Sequence, residues 1–260
     1  MKVSFYKYHG TGNDFIIMDN RQKKKFLKKS SIARLCHRRF GIGADGLMLL
    51  QKKKGYDFEM LYFNSDGNES SLCGNGSRCI THFAKKVNLL KKNKAHFLAN
   101  DGEHEAVVIK NTVRLKMNDV KEIETGTDYY FLQTGSPHCV KFKPEVKSAD
   151  IISEAKKIRF SERFKNEGVN VNFVEKSDNG IFVRTYERGV EAETLSCGTG
   201  VTASALAAAL RGVASSENHC EISTPGGELV VRFRRQNDLS FSDIWLEGPA
   251  TFVYKGEIDL

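Results

Sequence analysis

The chain has 260 residues, a formal net charge of +8 and 40% hydrophobic residues, which allows one or two domains with a substantial core. It has no apolar run long enough to cross a membrane, and Met1-Lys2-Val3-Ser4-Phe5-Tyr6-Lys7-Tyr8 reads as a strand and not as a signal peptide, so a cytoplasmic protein is expected. The lysines fall in short runs (Lys23 to Lys25, Lys28-Lys29, Lys52 to Lys54, Lys85-Lys86, Lys91-Lys92) without interleaved aromatics, the pattern of a solvated surface and not of a nucleic-acid module.

Along the chain, residues 3–8 and 14–18 read as strands around the turn His9-Gly10-Thr11-Gly12-Asn13. A helix is predicted over 31–39 with Ser30 or Ser31 as N-cap, then strands at 47–50 and 58–63. Asn64-Ser65-Asp66-Gly67-Asn68 is a turn signal, and a helix over 76–90 places Ile80, Phe83, Ala84 and Val87 on one face. Residues 104–109 and 112–117 form a hairpin pattern. The second half follows a similar plan: strands at 129–133 and 138–142, a helix at 148–158, a hairpin of 170–175 with 180–186, an alanine-rich helix at 200–211, and strands at 219–223, 228–234, 243–247 and 250–255. Each half reads as strands, an acidic turn, Cys-Gly-x-Gly, a central helix and more strands. This predicts an α+β protein of two pseudo-symmetric halves, each a barrel-like, mostly antiparallel sheet around a helix. Outside the cysteine motif the halves share little identity, so the duplication is a hypothesis about fold.

The two motifs, Cys73-Gly74-Asn75-Gly76 and Cys197-Gly198-Thr199-Gly200, carry the chemistry. A helix start offers unpaired N–H groups and a positive dipole end, both of which favour a thiolate or a bound anion. The glycines let a ligand approach the backbone closely. The other cysteines, Cys36, Cys79, Cys139 and Cys220, read as small buried apolar residues. There is no C-x-x-C pair, and no Cys/His spacing resembles a zinc site. Two thiols on one substrate can form a redox disulfide, hold a metal, or act as acid and base. No flavin or nicotinamide fingerprint is evident, and His138 is poorly spaced as a further metal ligand. Acid–base work therefore fits best: a thiolate removes a proton from one face of a carbon and a thiol returns one to the other, inverting the centre. The helix starts would hold an α-carboxylate and stabilise its developing charge. Asn13, Asn64, Asn170, His138 and Glu187-Arg188-Gly189 are further polar candidates at turns and strand ends.

At these residues the chain resembles the diaminopimelate epimerases. The resemblance rests on His9-Gly10-Thr11-Gly12-Asn13-Asp14-Phe15, Arg39-Phe40-Gly41-Ile42-Gly43-Ala44-Asp45-Gly46, Phe63-Asn64-Ser65-Asp66-Gly67, the two cysteine motifs, Pro137-His138-Cys139, Gly168-Val169-Asn170-Val171-Asn172-Phe173 and Tyr186-Glu187-Arg188-Gly189, in family order over nearly the whole chain. It implies an isomerase that interconverts LL- and meso-2,6-diaminopimelate for lysine and peptidoglycan precursors without a cofactor, acting as a cytoplasmic homodimer. It places the active site in a cleft between the halves, 1–118 and 119–249, with 250–260 returning to the first half. By the same resemblance Cys197 accepts and Cys73 donates the proton in the LL-to-meso direction, and His138 and Glu187 tune their protonation. Gly74, Asn75, Gly198 and Thr199 would bind carboxylate, with Asn13, Asn64, Asn170, Glu187 and Arg188 also on the substrate. Two positions depart from the family pattern: Ser136 stands where asparagine is usual, and Gly46 where some members have glutamine. The alternatives are a proline or hydroxyproline racemase-like enzyme, whose substrate lacks a charged distal arm, and a non-catalytic ligand-binding relative.

Overall fold

A two-residue turn starts the first half. In the computed structural model, which describes residues 2–22, 27–70 and 73–259, β1 (Lys2–Gly10) and β2 (Asn13–Asp19) pair antiparallel. The lysine run at 23–25 lies outside the described residues. Thr11 and Gly12 between the strands both have positive φ, 49° and 85°, the geometry whose twist matches that of the flanking strands. α1 (Lys29–Cys36) leads to β3 (Gly46–Gln51), parallel to β2 and antiparallel to β4 (Phe58–Asn64). α2 (Gly74–Lys86) leads to β5 (Lys94–Ala99), parallel to β4; β6 (Gly102–Ile109) and β7 (Thr112–Lys116) then add antiparallel.

The second half repeats this plan. After β8 (Glu124–Thr125), β9 (Tyr130–Gln133) pairs antiparallel with β10 (Pro137–Phe142). α3 (Ile151–Arg159) leads to β11 (Asn170–Ser177), parallel to β10 and antiparallel to β12 (Gly180–Glu187), which also pairs with the short β13 (Ala192–Thr194). α4 (Gly198–Leu210) leads to β14 (His219–Thr224), parallel to β12, and β15 (Gly227–Arg235) and β16 (Phe241–Pro249) close the series antiparallel. β17 (Thr251–Asp259) runs antiparallel along β1 from Lys2↔Asp259 to His9↔Thr251. The chain divides into Met1–Leu115 with Gly248–Leu260, and Lys116–Glu247. The same pairing order recurs in both, so the fold is a mostly-sheet α+β architecture of two similar halves, duplicated in topology where sequence identity is slight.

The helices explain the burial pattern. α4 is apolar on every side, and Val201, Ala203, Ala205, Leu206, Ala207 and Ala208 are all buried, as a helix enclosed by strands requires. It packs against β9, β10, β11, β12, β14 and β15. Two of its hydroxyl residues bond back to the previous turn, Thr202 to the Gly198 carbonyl at 2.9 Å and Ser204 to that of Gly200 at 2.8 Å, which lets them sit in an apolar interior. α2 packs against β1, β2, β3, β6 and β17, with Phe83 centred 4.6 Å from Tyr6 and 6.2 Å from Tyr8. α1 and α3 form separate clusters: Ile32, Leu35 and Cys36 with Ile16, Met18 and Leu47, and Ile151 and Ala155 with Val171 and Phe173. β2 and β3 are thus covered on both faces, which is why they read as continuous apolar runs.

Several boundaries differ from the sequence reading. α1 has Lys28 as N-cap with no side-chain cap bond, so neither Ser30 nor Ser31 caps it. It stops at Cys36 because the amides of Ile42 and Ala44 fold back onto the Leu35 and Cys36 carbonyls at 2.8 and 3.0 Å. α3 starts later than predicted, at Ile151, because Asp150 accepts from the amides of Ile152 and Ser153. β5, β8 and β13 were not predicted. β5 carries Lys94, Ala95 and Ala99 among its six residues, weak strand formers that its neighbours override.

Candidate active site

Each half presents one cysteine in the same local geometry. Cys73 is the N-cap of α2 with φ −108° and ψ 117°, and Cys197 that of α4 with φ −114° and ψ 114°. Both helices therefore begin at the glycine directly after the cysteine, earlier than the sequence reading placed them. Glycine is a poor helix former, but at a first turn its amide faces outward with no intrahelical partner. Gly74-Asn75 and Gly198-Thr199 thus supply amides beside a sulfur at a positive dipole end.

In the first half, Cys73 Sγ lies 3.4 Å from Asn13 Oδ1, which also accepts from Asn75 Nδ2 at 3.4 Å. Asn13 Nδ2 donates to Asp45 Oδ2 at 2.6 Å, and Asp45 Oδ1 takes Arg38 at 2.7 Å. Asp14, next in sequence, is held by Lys7 at 2.7 Å and Arg38 at 2.8 Å. Burial alone would raise its pKa, yet these two cations hold the carboxyl well below the usual carboxylate range. Arg78 is fully buried. Its guanidinium donates to Asn75 Oδ1 at 2.9 Å and to Thr11 Oγ1, the Gly74 carbonyl and the Pro249 carbonyl at 3.4 Å. Thr11 is β-branched at positive φ, a strained conformation, and this contact helps hold it.

In the second half, Cys197 Sγ is 3.4 Å from Thr199 Oγ1. Thr199 is held twice more: its hydroxyl meets His138 Nε2 at 2.9 Å and its carbonyl accepts from Thr134 Oγ1 at 2.9 Å. The His138 ring is buried and has Asn172 Nδ2 at 3.0 Å from Nδ1. Burial first, and the Arg188 charge second, push the His138 pKa down to about 3, so the ring is neutral near neutral pH. Asn170 Oδ1 accepts from the Arg188 amide at 2.9 Å, and its Nδ2 donates to Ser136 Oγ at 2.9 Å. The serine that replaces the expected asparagine is therefore a direct partner of Asn170. Glu187 ends β12; burial raises its pKa and the Thr194 hydroxyl opposes the rise.

Gly46 is closely packed. It pairs with Asn64 across β3 and β4, and a Cβ there would lie 2.5 Å from the Tyr62 ring and 2.7 Å from the Phe63 carbonyl. Tyr62 fills the volume that a longer side chain would need at this position. Asn64 itself is exposed at the end of β4. Cys36, Cys139 and Cys220 are buried with thiols pushed up to about 11, chiefly by burial, and Cys79 is raised further. The inert reading of these four fits that environment.

The sequence reading missed Asn172, Thr134, Thr185, Asp45 and Arg78 as site residues. A signal existed for Asn172: in a strand, Asn170 and Asn172 share one face, and both are buried between apolar neighbours. Arg78 lies one helical turn after Asn75, on a helix whose polar residues are largely buried.

The diaminopimelate epimerase family model matches residues 5–123 and 130–253. A diaminopimelate epimerase of Flavobacterium psychrophilum is 48% identical over 98% of this chain and all of its own, and one of Methanocella arvoryzae is 39% identical over all of this chain and 98% of its own. Among solved structures, a phenazine biosynthesis protein of the PhzF family from Bacillus anthracis superposes with a TM-score of 0.72 at 14% identity, each chain covered in full. A hydroxyproline epimerase from Agrobacterium vitis with bound trans-4-hydroxy-L-proline gives 0.68 at 13% identity, covering all of this chain and 93% of that one. The structural likenesses show a shared fold; the extent of the family match and the sequence identity to its members show that this chain belongs to the diaminopimelate epimerase family.

Proposed function

We propose that this chain interconverts LL- and meso-2,6-diaminopimelate by a two-base mechanism on Cys73 and Cys197, with no cofactor taking part. The observation that carries the reading is the pair of cysteines with matching N-cap geometry, each followed by a glycine-led helix start, in a chain of this family. In the LL-to-meso direction the Cys197 thiolate takes the α-proton, and the electron pair is left on a carbon whose carboxylate is held by helix-start amides. Those amides oppose the growing charge best where water is excluded. The Cys73 thiol then returns a proton to the opposite face. One proton is gained by Cys197 and one is lost by Cys73, so the protein ends with the two states exchanged, and the reverse reaction starts from there.

Gly74, Asn75, Gly198 and Thr199 would hold the reacting carboxylate, and Asn13, Asn64, Asn170, Glu187 and Arg188 the rest of the substrate. His138 reaches Cys197 through Thr199 in this scheme, and Ser136 acts through Asn170. No described helix is long and apolar enough to cross a membrane. A cytoplasmic homodimer is carried over from the family resemblance, and light scattering on purified protein tests the dimer.

The function is tested by incubating the reduced protein with LL-diaminopimelate in deuterated water. Deuterium should enter the α-position and meso product should appear. Cys73→Ala and Cys197→Ala should each abolish net epimerisation. Absence of exchange by the reduced wild type rejects the reading, and exchange with L-proline in place of diaminopimelate would favour a racemase.

A further inference from the structure

The two cysteines sit in hydrogen-bond chains whose directions can be read from groups with only one role. Beyond Cys197, the starting point is the Cys139 backbone carbonyl, which can only accept. It lies 3.3 Å from one end of the Asn172 amide, so that end is the NH2. The other end then is the oxygen, and it accepts from Thr185 Oγ1 at 2.9 Å. Because Asn172 presents N–H to His138 Nδ1 at 3.0 Å, Nδ1 accepts and the ring proton is on Nε2. Nε2–H donates to Thr199 Oγ1 at 2.9 Å. The Thr199 hydroxyl accepts from His138 and keeps its own proton, which it can donate to Cys197 Sγ at 3.4 Å. The Asn170 NH2 also lies 3.5 Å from His138 Nε2, but its amide is fixed by the Arg188 N–H, and its two hydrogens have nearer acceptors in Ser136 Oγ at 2.9 Å and the Pro137 carbonyl at 3.3 Å. The links from Asn172 through His138 to Thr199 all donate toward Cys197, and a Thr199 hydroxyl that completes the series serves a thiolate.

The chain at Cys73 runs the other way, and it is anchored at both ends. The Asp45 carboxylate, paired with Arg38, accepts from Asn13 Nδ2 at 2.6 Å. On the far side, the Arg78 guanidinium can only donate, so Asn75 Oδ1 faces it at 2.9 Å and Asn75 Nδ2 turns to Asn13 at 3.4 Å. Both constraints give the same answer: Asn13 shows an oxygen to Cys73 Sγ at 3.4 Å. An oxygen there accepts S–H and repels a thiolate.

We propose that these opposed hydrogen-bond directions hold Cys197 as thiolate and Cys73 as thiol in the free protein, with Asn172 and Asp45 as the positioning residues that set them. The proposal rests on the two-thiol reading above and deepens it: it names which sulfur is the ready base before any substrate arrives, and so which stereoisomer the resting protein can deprotonate first. Arg188 and Arg78 also act on the chains. Arg188 opposes a proton on His138 and so supports the neutral ring. The Arg78 charge acts at Cys73 and favours an anion there, which eases the thiolate state that Cys73 enters after giving up its proton.

The test uses substrate-free protein, so it is independent of turnover. With 15N-labelled histidine, two-bond 1H–15N correlation spectra read the tautomer of His138, assigned by loss of its signals in His138→Gln. The expected tautomer is Nε2–H. Alkylation by iodoacetamide across pH, mapped by peptide mass spectrometry, reads each cysteine by the midpoint of its pH profile and not by its absolute rate. Cys197 should have the lower midpoint. Asn172→Asp offers His138 an acceptor, so the proton should move to Nδ1 and the Cys197 midpoint should rise by about one pH unit. Thr199→Val should raise that midpoint similarly with the tautomer unchanged, and Thr199→Ser should restore it. Should Asn172→Asp fail to fold, the Thr199 pair decides alone. An Nδ1–H ring in the wild type, a lower midpoint at Cys73, or a Cys197 midpoint unmoved by the loss of the Thr199 hydroxyl would each overturn the proposal. A wild type that shows the expected tautomer and midpoints but does not epimerise diaminopimelate would reject the function and leave this inference standing.

Discussion

Replacing the second glycine of each Cys-Gly-x-Gly motif with alanine separates two sites that look alike in sequence. In a helix, alanine is favoured over glycine by about 0.5–1 kcal/mol, so each change begins with a gain. At position 200 a Cβ would lie 2.4 Å from Asn172 Oδ1, 3.2 Å from Thr185 Oγ1 and 3.3 Å from Cys197 Cβ. Asn172 is buried and held by Thr185, His138 and the Cys139 carbonyl, so it cannot move without breaking bonds. Overpacking of about 1–3 kcal/mol and the loss of about 1 kcal/mol per hydrogen bond outweigh the gain, leaving Gly200→Ala destabilised by about 1–3 kcal/mol. At position 76 the nearest atom is Met48 Sδ at 3.1 Å, and Cys73 Cβ is at 3.5 Å. A thioether adapts readily, so Gly76→Ala should stay within about 0.5 kcal/mol of wild type. Urea unfolding at fixed pH, with equal slopes, measures both. Equal stabilities for the two variants, or a Gly200→Ala protein as stable as wild type, would refute the packing argument.

Burial holds His138 at about 3, below its usual value of 6.5, so the unfolded chain binds the proton more readily. The resulting stability is complete above about pH 6.5 and falls as pH drops toward 3, by about 1.4 kcal/mol per unit. Unfolding measured from pH 4 to 7 should show that slope reduced by about one proton in His138→Gln; identical slopes would contradict it. Arg78→Lys keeps the charge but loses the fork that serves Asn75, Gly74 and Pro249 together, and should cost on the order of 3 kcal/mol in thermal or chemical unfolding. Gly46→Ala drives a methyl into the Tyr62 ring and the Phe63 carbonyl; a loss of about 2 kcal/mol or more is expected by denaturation, and a neutral result would mean that Tyr62 moves aside.

What was legible in the sequence was local. The hairpin at Thr11-Gly12, the apolar runs of β2 and β3, the alanine-rich α4 and the two cysteine motifs depend on neighbours a few residues away. Backbone preference, side-chain period and helix-start chemistry act over that range. The duplication was legible in the order of elements, and the repeated strand pairing established it. Element ends were less secure: Asp150 caps α3, whereas α1 stops where a returning loop takes its carbonyls.

The surroundings of the cysteines were decided by tertiary structure. The sequence named Cys73, Cys197, Asn13, Asn75, His138 and Thr199 but not their order of connection. Asn172 and Thr185 come from adjacent strands, His138 from a third and Thr199 from a helix start, and only the packed sheet brings them within hydrogen-bond reach. The same holds for Gly46, where the sequence shows a glycine and the fold shows that Tyr62 occupies the space. Hydrogen-bond direction depends on which carbonyl, carboxylate or guanidinium lies at the end of each chain. Two of those end groups lie far from their partners in sequence, Asp45 at 32 residues from Asn13 and Cys139 at 33 residues from Asn172, so no local pattern specifies them.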